Sequence, residues 1–356
     1  MRSEKTLTRM LIEEWLFSLS LIALFITSLY AKRIPSYPLN DFKVVFTLFV
    51  FLVIIKGLEK SGFLKALASR FEGNHIGTRL ILLTAVLSMF ITNDVALLTV
   101  VPLTLALEIE NVEMLIILET IAANGASALT PFGNPQNIFI YYHYHVHPAE
   151  FVKTIAPFTF MSIAFVLLLS WKNTNIQHFN ANVAKLQEKA YLYLTFFLLF
   201  IMAVLRIVPL LIGIIPIVYA FIKDREALKV DYFLLGTFLA FFGFTDNMMH
   251  IISLSLDSPQ KVFLTSALLS QVISNVPSTL LLADFTENWR ALLWGVSVGG
   301  YGTLIGSLAS LISYRLYKAK YGNSKEYLVR FHIYNVLAFI VGIITWFLFG
   351  NCLACK

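Results

Sequence analysis

In a chain of 356 residues, 58% are hydrophobic and only 13% charged, against about 25% charged in an ordinary soluble domain; because the apolar residues come in long runs, such a chain does not stay in water. The formal net charge of +6 does not mark a nucleic-acid binder, since the basic residues lie between apolar runs, as membrane-flanking anchors do, and not on one contiguous face. The two cysteines, Cys352 and Cys355, exclude a disulfide framework, and their C-x-x-C lacks the second pair a zinc site needs, so no cofactor and no metal beyond a bound sodium ion is expected.

A hydrocarbon core of about 30 Å takes about 20 apolar residues as a helix, with tolerance for shorter runs, and nine runs qualify. The first, 14–31, follows Arg2, Lys5 and Arg9 as a signal peptide would, but its length and the Glu13-Glu14 start favour a retained span. A second span follows at 43–58. The stretch 78–107 is interrupted at Thr92-Asn93-Asp94, and its 14-residue leading arm rises only about 21 Å. It therefore enters and turns back as a re-entrant hairpin. A long helix over 113–143 with a glycine-rich break and a span at 154–171 complete the first half, 1–171. The polar stretch 172–189 is a linker. The second half, 190–356, has spans at 190–206, 209–222 and 232–254, a hairpin over 262–284 broken at Ser274-Asn275-Val276-Pro277, a broken helix over 289–317 and a last span at 329–349. The fold class is thus an all-α polytopic membrane protein with an inverted repeat, two re-entrant hairpins and two discontinuous helices.

Charge supports this order. Eighteen lysines and arginines fall on the side holding the N-terminus and eight on the other, the bias expected of a cytoplasmic N-terminus and an outside C-terminus in a cell-membrane protein. The two halves also share residues. Asp41 and Thr47 match Asp231 and Thr237, Asn93 and Asn275 stand at the hairpin breaks, and the stretch from Asn124-Gly125 to Thr130, Gly133 and Asn137 runs parallel to that from Ser297 through Gly300 and Gly302 to Thr303, Gly306 and Ser310. Thr-x-x-Gly recurs in register. Five crossings separate the span before one hairpin from the span before the other, and an odd number makes the halves antiparallel. Backbone that is not helical at membrane depth is tolerated only where it lines a cavity; its free carbonyls suit a cation and its half-helix N-termini an anion.

Several polar residues stand out. Asp94 lies at a hairpin tip, and an intramembrane carboxylate is a functional candidate because burying its charge is costly; the plain alternative is a helix N-cap. Asn93, Asn275, Thr130 and Thr303 recur in both halves, as binding residues do, with capping and helix packing as their plain readings. Glu119 is a proton carrier or a snorkelling side chain. Asp246, one turn before His250, is a gating or proton-coupling candidate or a solvated helix end. Arg206 is an interface anchor, and Tyr141 to His147 form an aromatic interface belt and not a metal site.

Thr92-Asn93-Asp94-Val95 with Pro102, Asn124-Gly125 through Thr130-Pro131-Phe132-Gly133-Asn134-Pro135-Gln136-Asn137, Ser274-Asn275-Val276-Pro277 and Gly299-Gly300-Tyr301-Gly302-Thr303-Leu304-Ile305-Gly306 resemble the ion transporter superfamily. That group includes arsenite permeases, sodium/proton antiporters and divalent-anion/sodium symporters, and the chain looks closest to its arsenite-permease and antiporter side, among anion permeases. The resemblance implies ion binding at Thr92, Asn93, Asp94, Asn124, Gly125, Thr130, Gly133, Asn137, Ser274, Asn275, Gly300, Gly302, Thr303 and Gly306. A homodimer fits it. The symporter branch carries Ser-Asn-Thr at both tips; Thr-Asn-Asp and Ser-Asn-Val here argue against a dicarboxylate.

No ATP-binding loop and no intramembrane-protease motif is present, and an inverted pair with broken helices favours a carrier over a channel. The expected centre holds no lysine or arginine, so an anion there is held by helix ends, amides, hydroxyls and a co-bound cation. The expectation is therefore cation-coupled transport of a small inorganic anion, with sodium/proton exchange as the alternative and a carboxylate symporter or a channel behind it. The hairpins and broken helices would move as one unit, carrying Asn93, Asp94, Asn275, Thr130 and Thr303 with the cargo.

Overall fold

The computed structural model describes residues 14–68, 75–106, 111–173, 186–251, 256–322 and 325–354. Arg2, Lys5, Arg9, Cys355 and most of the 172–189 linker lie outside these residues. The described residues are helical with no strand among them, as the apolar runs require.

The helices are turned inside out relative to those of a water-soluble protein. On Trp15–Ala31 the exposed side chains include Ile22, Phe25, Ile26 and Leu29, whereas Ser20 and Thr27 are buried. Their hydroxyls donate to the carbonyls of Phe17 and Ala23, so no donor faces outward unpaired. Lys325–Thr345 repeats the pattern with Val329, Ile333, Ile340 and Ile344 outside and Asn335 fully buried. Such a surface is stable only against an apolar medium. Among the described residues, Pro148–Ser170, Arg225–Ile251 and Lys325–Ala354 are long and apolar enough to cross a membrane as single helices.

Ionic contacts gather at two ends of the bundle. At the end where Trp15–Ala31 begins, the near end, Lys189 pairs with Asp224 at 2.9 Å and Arg330 with Glu113 at 2.6 Å. At the far end Arg33 pairs with Asp246 at 2.8 Å, His143 meets Asp284 at 3.4 Å and Arg290 pairs with Glu150. Ile76–Ile91 and Asn93–Ala106 run in from the near end and back, and Pro259–Ile273 and Asn275–Ala283 do the same from the far end. Val112–Ser127 leads through an unwound stretch into Pro135–His143, and Trp289–Gly299 through another into Leu308–Tyr321.

Some boundaries differ from those read in the sequence, each for a local reason. The second hairpin starts at Pro259 and not at 262, because Ser258 accepts a hydrogen bond from the Lys261 N–H and Pro259 needs no donor at the first helical position. The 209–222 span is a 3-10 turn, Leu210–Gly213, followed by Ile214–Lys223. The last span begins at Lys325 and ends in a π turn over Trp346–Gly350, where the Trp346 ring stacks on Phe263 at 4.5 Å.

Two bodies pack side by side. Trp15–Ala31, Leu39–Lys60, Lys189–Val204, Ile214–Lys223 and Tyr232–Ile251 form one. The hairpins and broken helices, together with Pro148–Asn173 and Lys325–Thr345, form the other. They meet along Leu39–Lys60 against Pro135–His143 and along Tyr232–Ile251 against Asn275–Ala283.

Candidate functional site

Each hairpin turns on one residue, and both do so in the same way. Thr92 has φ 77 and ψ 147, and Ser274 has φ 76 and ψ 157, a conformation that costs a residue with a side chain about 1–3 kcal/mol and persists only where surrounding contacts enforce it. Those contacts repeat. The N–H of Asn93 donates to the Gly133 carbonyl at 3.2 Å, and that of Asn275 to the Gly306 carbonyl at 3.0 Å. The Thr130 hydroxyl donates to the Met89 carbonyl and the Thr303 hydroxyl to the Gln271 carbonyl, each acceptor lying three residues before its turn. The two threonines thus hold each break against the incoming arm of its hairpin, and their hydroxyl protons are engaged there and do not face a cargo.

Asn137 sustains the first unwound stretch by donating to the carbonyls of Ser127, Ala128 and Thr130. Gly133 is obligatory in it, since a Cβ would stand 2.1 Å from the Ser127 carbonyl oxygen. That oxygen belongs to the backbone and has little room to move. Gly133→Ala is expected to lower stability by about 2–3 kcal/mol and to remove transport; a melting temperature in detergent equal to that of the unchanged protein would contradict this close approach. Gly302 in the second break is required for a different reason, a φ of +89 that a residue with a side chain rarely adopts.

The halves are joined at Asn124. Its Oδ1 accepts from Asn93 Nδ2 at 3.0 Å and from the Ser307 hydroxyl at 2.9 Å, while its Nδ2 donates to the Gly300 carbonyl at 3.2 Å and lies 3.4 Å from the Ser310 hydroxyl. One buried amide therefore ties the first hairpin tip to both sides of the second break. Asn275 closes on the same spot, its Nδ2 standing 3.2 Å from where a Gly300 Cβ would be. Gly125 faces Tyr301 and Ser162, so close that a Cβ there would lie 2.3 Å from the Tyr301 hydroxyl.

Two of the departures from symmetry change the chemistry at the tips and the node. Asp94 corresponds to Val276, so there is one carboxylate at the tips, and Asn124 corresponds to Ser297, whose buried hydroxyl has no partner. The Asp94 N–H donates to Asn93 Oδ1 at 3.0 Å, but its own Oδ1 is buried without a hydrogen-bond partner. Among the described residues Asp94 forms no ion pair. A buried carboxylate oxygen without a partner is a ligand type that suits a hard cation. A cavity of about 200 Å³ runs in from the near end along the seam between the two bodies and reaches Ser274, with Asp231, Thr237, Ile305, Leu308 and Arg315 on its walls.

Other candidates lie elsewhere. Glu119 is fully buried, so it does not snorkel; its Oε1 accepts from Thr104 at 2.5 Å and its Oε2 has no partner. It sits between the tips and the near end. Asp246 is at the far rim, paired with Arg33 and accepting from the Ser36 N–H at 2.9 Å, away from Asp94. The Tyr141–His147 run anchors the far end: Tyr141 donates to the Val204 carbonyl, Tyr144 to those of Ala283 and Thr286, and the Arg206 guanidinium lies over the Tyr141 ring at 4.7 Å. Among the described residues no cluster of histidine, cysteine and acidic side chains is placed to hold a metal ion. Ser307, Ser310 and Gln271 were not singled out in the sequence. The register already set Ser307 and Ser310 opposite Asn134 and Asn137, which was a signal for the two serines; Gln271 matches a methionine and left none.

Residues 10–299 match the family model described as CitMHS, citrate transporter. The chain is 35% identical over 289 residues to a protein of Methanocaldococcus jannaschii called uncharacterized transporter MJ0456, covering 78% of this chain and 81% of that one. It is also 35% identical over 325 residues to the inner membrane protein YbiR of Escherichia coli K12, covering 83% and 84%. Matches of this extent, on a helical bundle with an apolar exterior and two crossed helix breaks inside it, show that the chain is a membrane transporter of the CitMHS citrate-transporter family.

Proposed function

We propose that this protein is a secondary active transporter that moves a small anion together with a cation by alternating access, with the hairpin tips and helix breaks as the cargo centre. The observation that carries this reading is the Asn124 node, where one amide holds parts of both halves together next to an Asp94 oxygen that lacks a partner. The four half-helices beginning at Asn93, Pro135, Asn275 and Leu308 aim their N-terminal ends at this centre, and such ends favour an anion. Asp94 repels one unless a cation neutralises it. Anion and cation therefore suit the site together better than either alone.

The seam between the two bodies supports movement of the hairpin-bearing body against the other. The near-end cavity reaches Ser274, whereas toward the far end Phe139 stacks on Phe242 at 5.5 Å across the seam. This supports a path to the tips from the near end, which on the lysine and arginine bias is the cytoplasmic side, with the C-terminus outside. For cargo, the absence of lysine and arginine at the tips favours a small inorganic oxyanion, and sodium/proton exchange is the alternative without an anion. The family's description favours a second cargo, citrate or a related carboxylate.

Counterflow in proteoliposomes tests both. Vesicles loaded with phosphate, arsenate, sulfate or citrate are assayed for uptake of the labelled partner under a sodium or pH gradient. Gradient-dependent uptake of one inorganic oxyanion supports the first reading, and uptake of citrate alone supports the second. Sodium-driven proton flux with no anion moved would establish an antiporter and overturn both.

A further inference from the structure

A second cavity, of about 230 Å³, opens at the far end on the same seam. Its walls bring Asp41 and Asp246 from one body to face Asp284 and His143 from the other. Asp246 is neutralised by Arg33 at 2.8 Å and also receives the Ser36 N–H and hydroxyl. Among the described residues Asp284 has only the His143 ring, at 3.4 Å. Asp41 differs from both: it is 8% exposed and lines the cavity, yet among the described residues its carboxylate forms no hydrogen bond and no ion pair. It does not serve as a helix cap either, since its own N–H goes to the Pro38 carbonyl and Pro38 precedes the helix. Lys43, two residues on, turns away to Asn40 at 3.3 Å. Arg33 donates to the Asp246 carbonyl, the His250 Nδ1 lies against both, and neither side chain supplies anything to Asp41.

Excess negative charge is thus held where water is partly excluded. Asp41, Asp246 and Asp284 lie within electrostatic reach of one another, and the Tyr37 phenol in the loop beside them is pushed up by burial and then by the charges of Asp41 and Asp246. A confined cavity with walls of one sign focuses the field and concentrates counter-ions, and a buried carboxylate without a partner is costly unless a cation or proton joins it. The acidic groups do not converge as a chelating trio among the described residues, so a bare divalent ion is not the occupant. The cavity instead has room for a monovalent ion that keeps water.

We infer that the far-end cavity is an antechamber that binds a hydrated alkali cation at Asp41, with Asp284 as the second carboxylate, before that ion reaches the hairpin tips. The inference concerns a cation site that cargo transport does not define. It rests on the coupled-transport reading only for its purpose, and its test does not use transport.

Met249 lines the same cavity and is partly exposed, so a cysteine placed there reports the local field. In a Cys352→Ala, Cys355→Ala, Met249→Cys protein, a cationic methanethiosulfonate is expected to react about tenfold faster than an anionic one, and sodium chloride to slow it more than choline chloride at equal ionic strength. Adding Asp41→Asn removes the sodium protection, and Asp41→Glu retains it. Equal rates for the two reagents, or a rate bias that sodium does not affect specifically, would overturn the site. Monodisperse elution and an unchanged melting temperature of each variant separate these outcomes from misfolding.

Discussion

Asn124→Ala is expected to reduce transport of any cargo by at least about a hundredfold and to lower the melting temperature. The substitution removes one amide but strands four groups: Asn93 Nδ2, the Ser307 hydroxyl, the Gly300 carbonyl and the Ser310 hydroxyl all lose their shared partner. A buried polar group left unsatisfied costs about 1–3 kcal/mol, and two such losses at the centre correspond to about a hundredfold in a binding constant. Asn124→Asp is the informative companion. It keeps the acceptor that Asn93 and Ser307 use and deletes the donor to Gly300, so it is expected to preserve folding more than transport. Thermal melts and counterflow measured side by side decide this, and full counterflow in Asn124→Ala would show that the node is a structural tie alone.

The second large effect is expected at Asp94. Asp94→Asn keeps the volume and removes the charge, so a site that holds a cation through the unpaired Oδ1 loses its only carboxylate. Removing one partner of a buried charge pair costs about 3–5 kcal/mol, at least about a hundredfold in cation affinity. Accumulation driven by a sodium or pH gradient is therefore expected to vanish, and the concentration of cation needed for half-maximal uptake to rise beyond the measurable range. Asp94→Glu restores the charge one methylene away and should recover part of the uptake. Stability should not fall, because Asp94 accepts no hydrogen bond at Oδ1 and pairs with no base. A neutral side chain there removes the cost of a buried charge without a partner, so a melting temperature equal to or above that of the unchanged protein is expected. Undiminished gradient-driven uptake in Asp94→Asn would exclude it as the coupling site.

The two substitutions separate roles that the sequence places side by side. Asn93 and Asp94 are neighbours at one tip, yet the first spends its side chain on Asn124 and the second is left open. Their repeat partners part in the same way: Asn275 holds to Gly306 through its backbone, and Val276 offers no charge at all. On the proposed reading, that single replacement leaves one carboxylate, and so one charged cation ligand, at the hairpin tips.

The amino-acid sequence by itself determined the all-helical membrane architecture, the two hairpins with their breaks at Thr92 and Ser274, and the register that sets Thr130-x-x-Gly133 against Thr303-x-x-Gly306. These follow from hydrophobic run length, from residues that interrupt a helix and from repetition, all of which are local along the chain. Tertiary structure alone decided what each polar side chain spends its hydrogen bonds on. Thr130 and Thr303 read as cargo ligands in sequence, and the folded chain gives them a bracing role that the sequence did not show, because only it brings the Met89 and Gln271 carbonyls within reach of their hydroxyl protons. Asn124 became the hub by meeting Gly300, Ser307 and Ser310 more than 170 residues away, and Asp246, similar to Asp94 in sequence, was neutralised at the rim by Arg33. Whether a buried carboxylate is paired or free depends on which distant groups the packing brings to it, and composition and spacing carry no record of that.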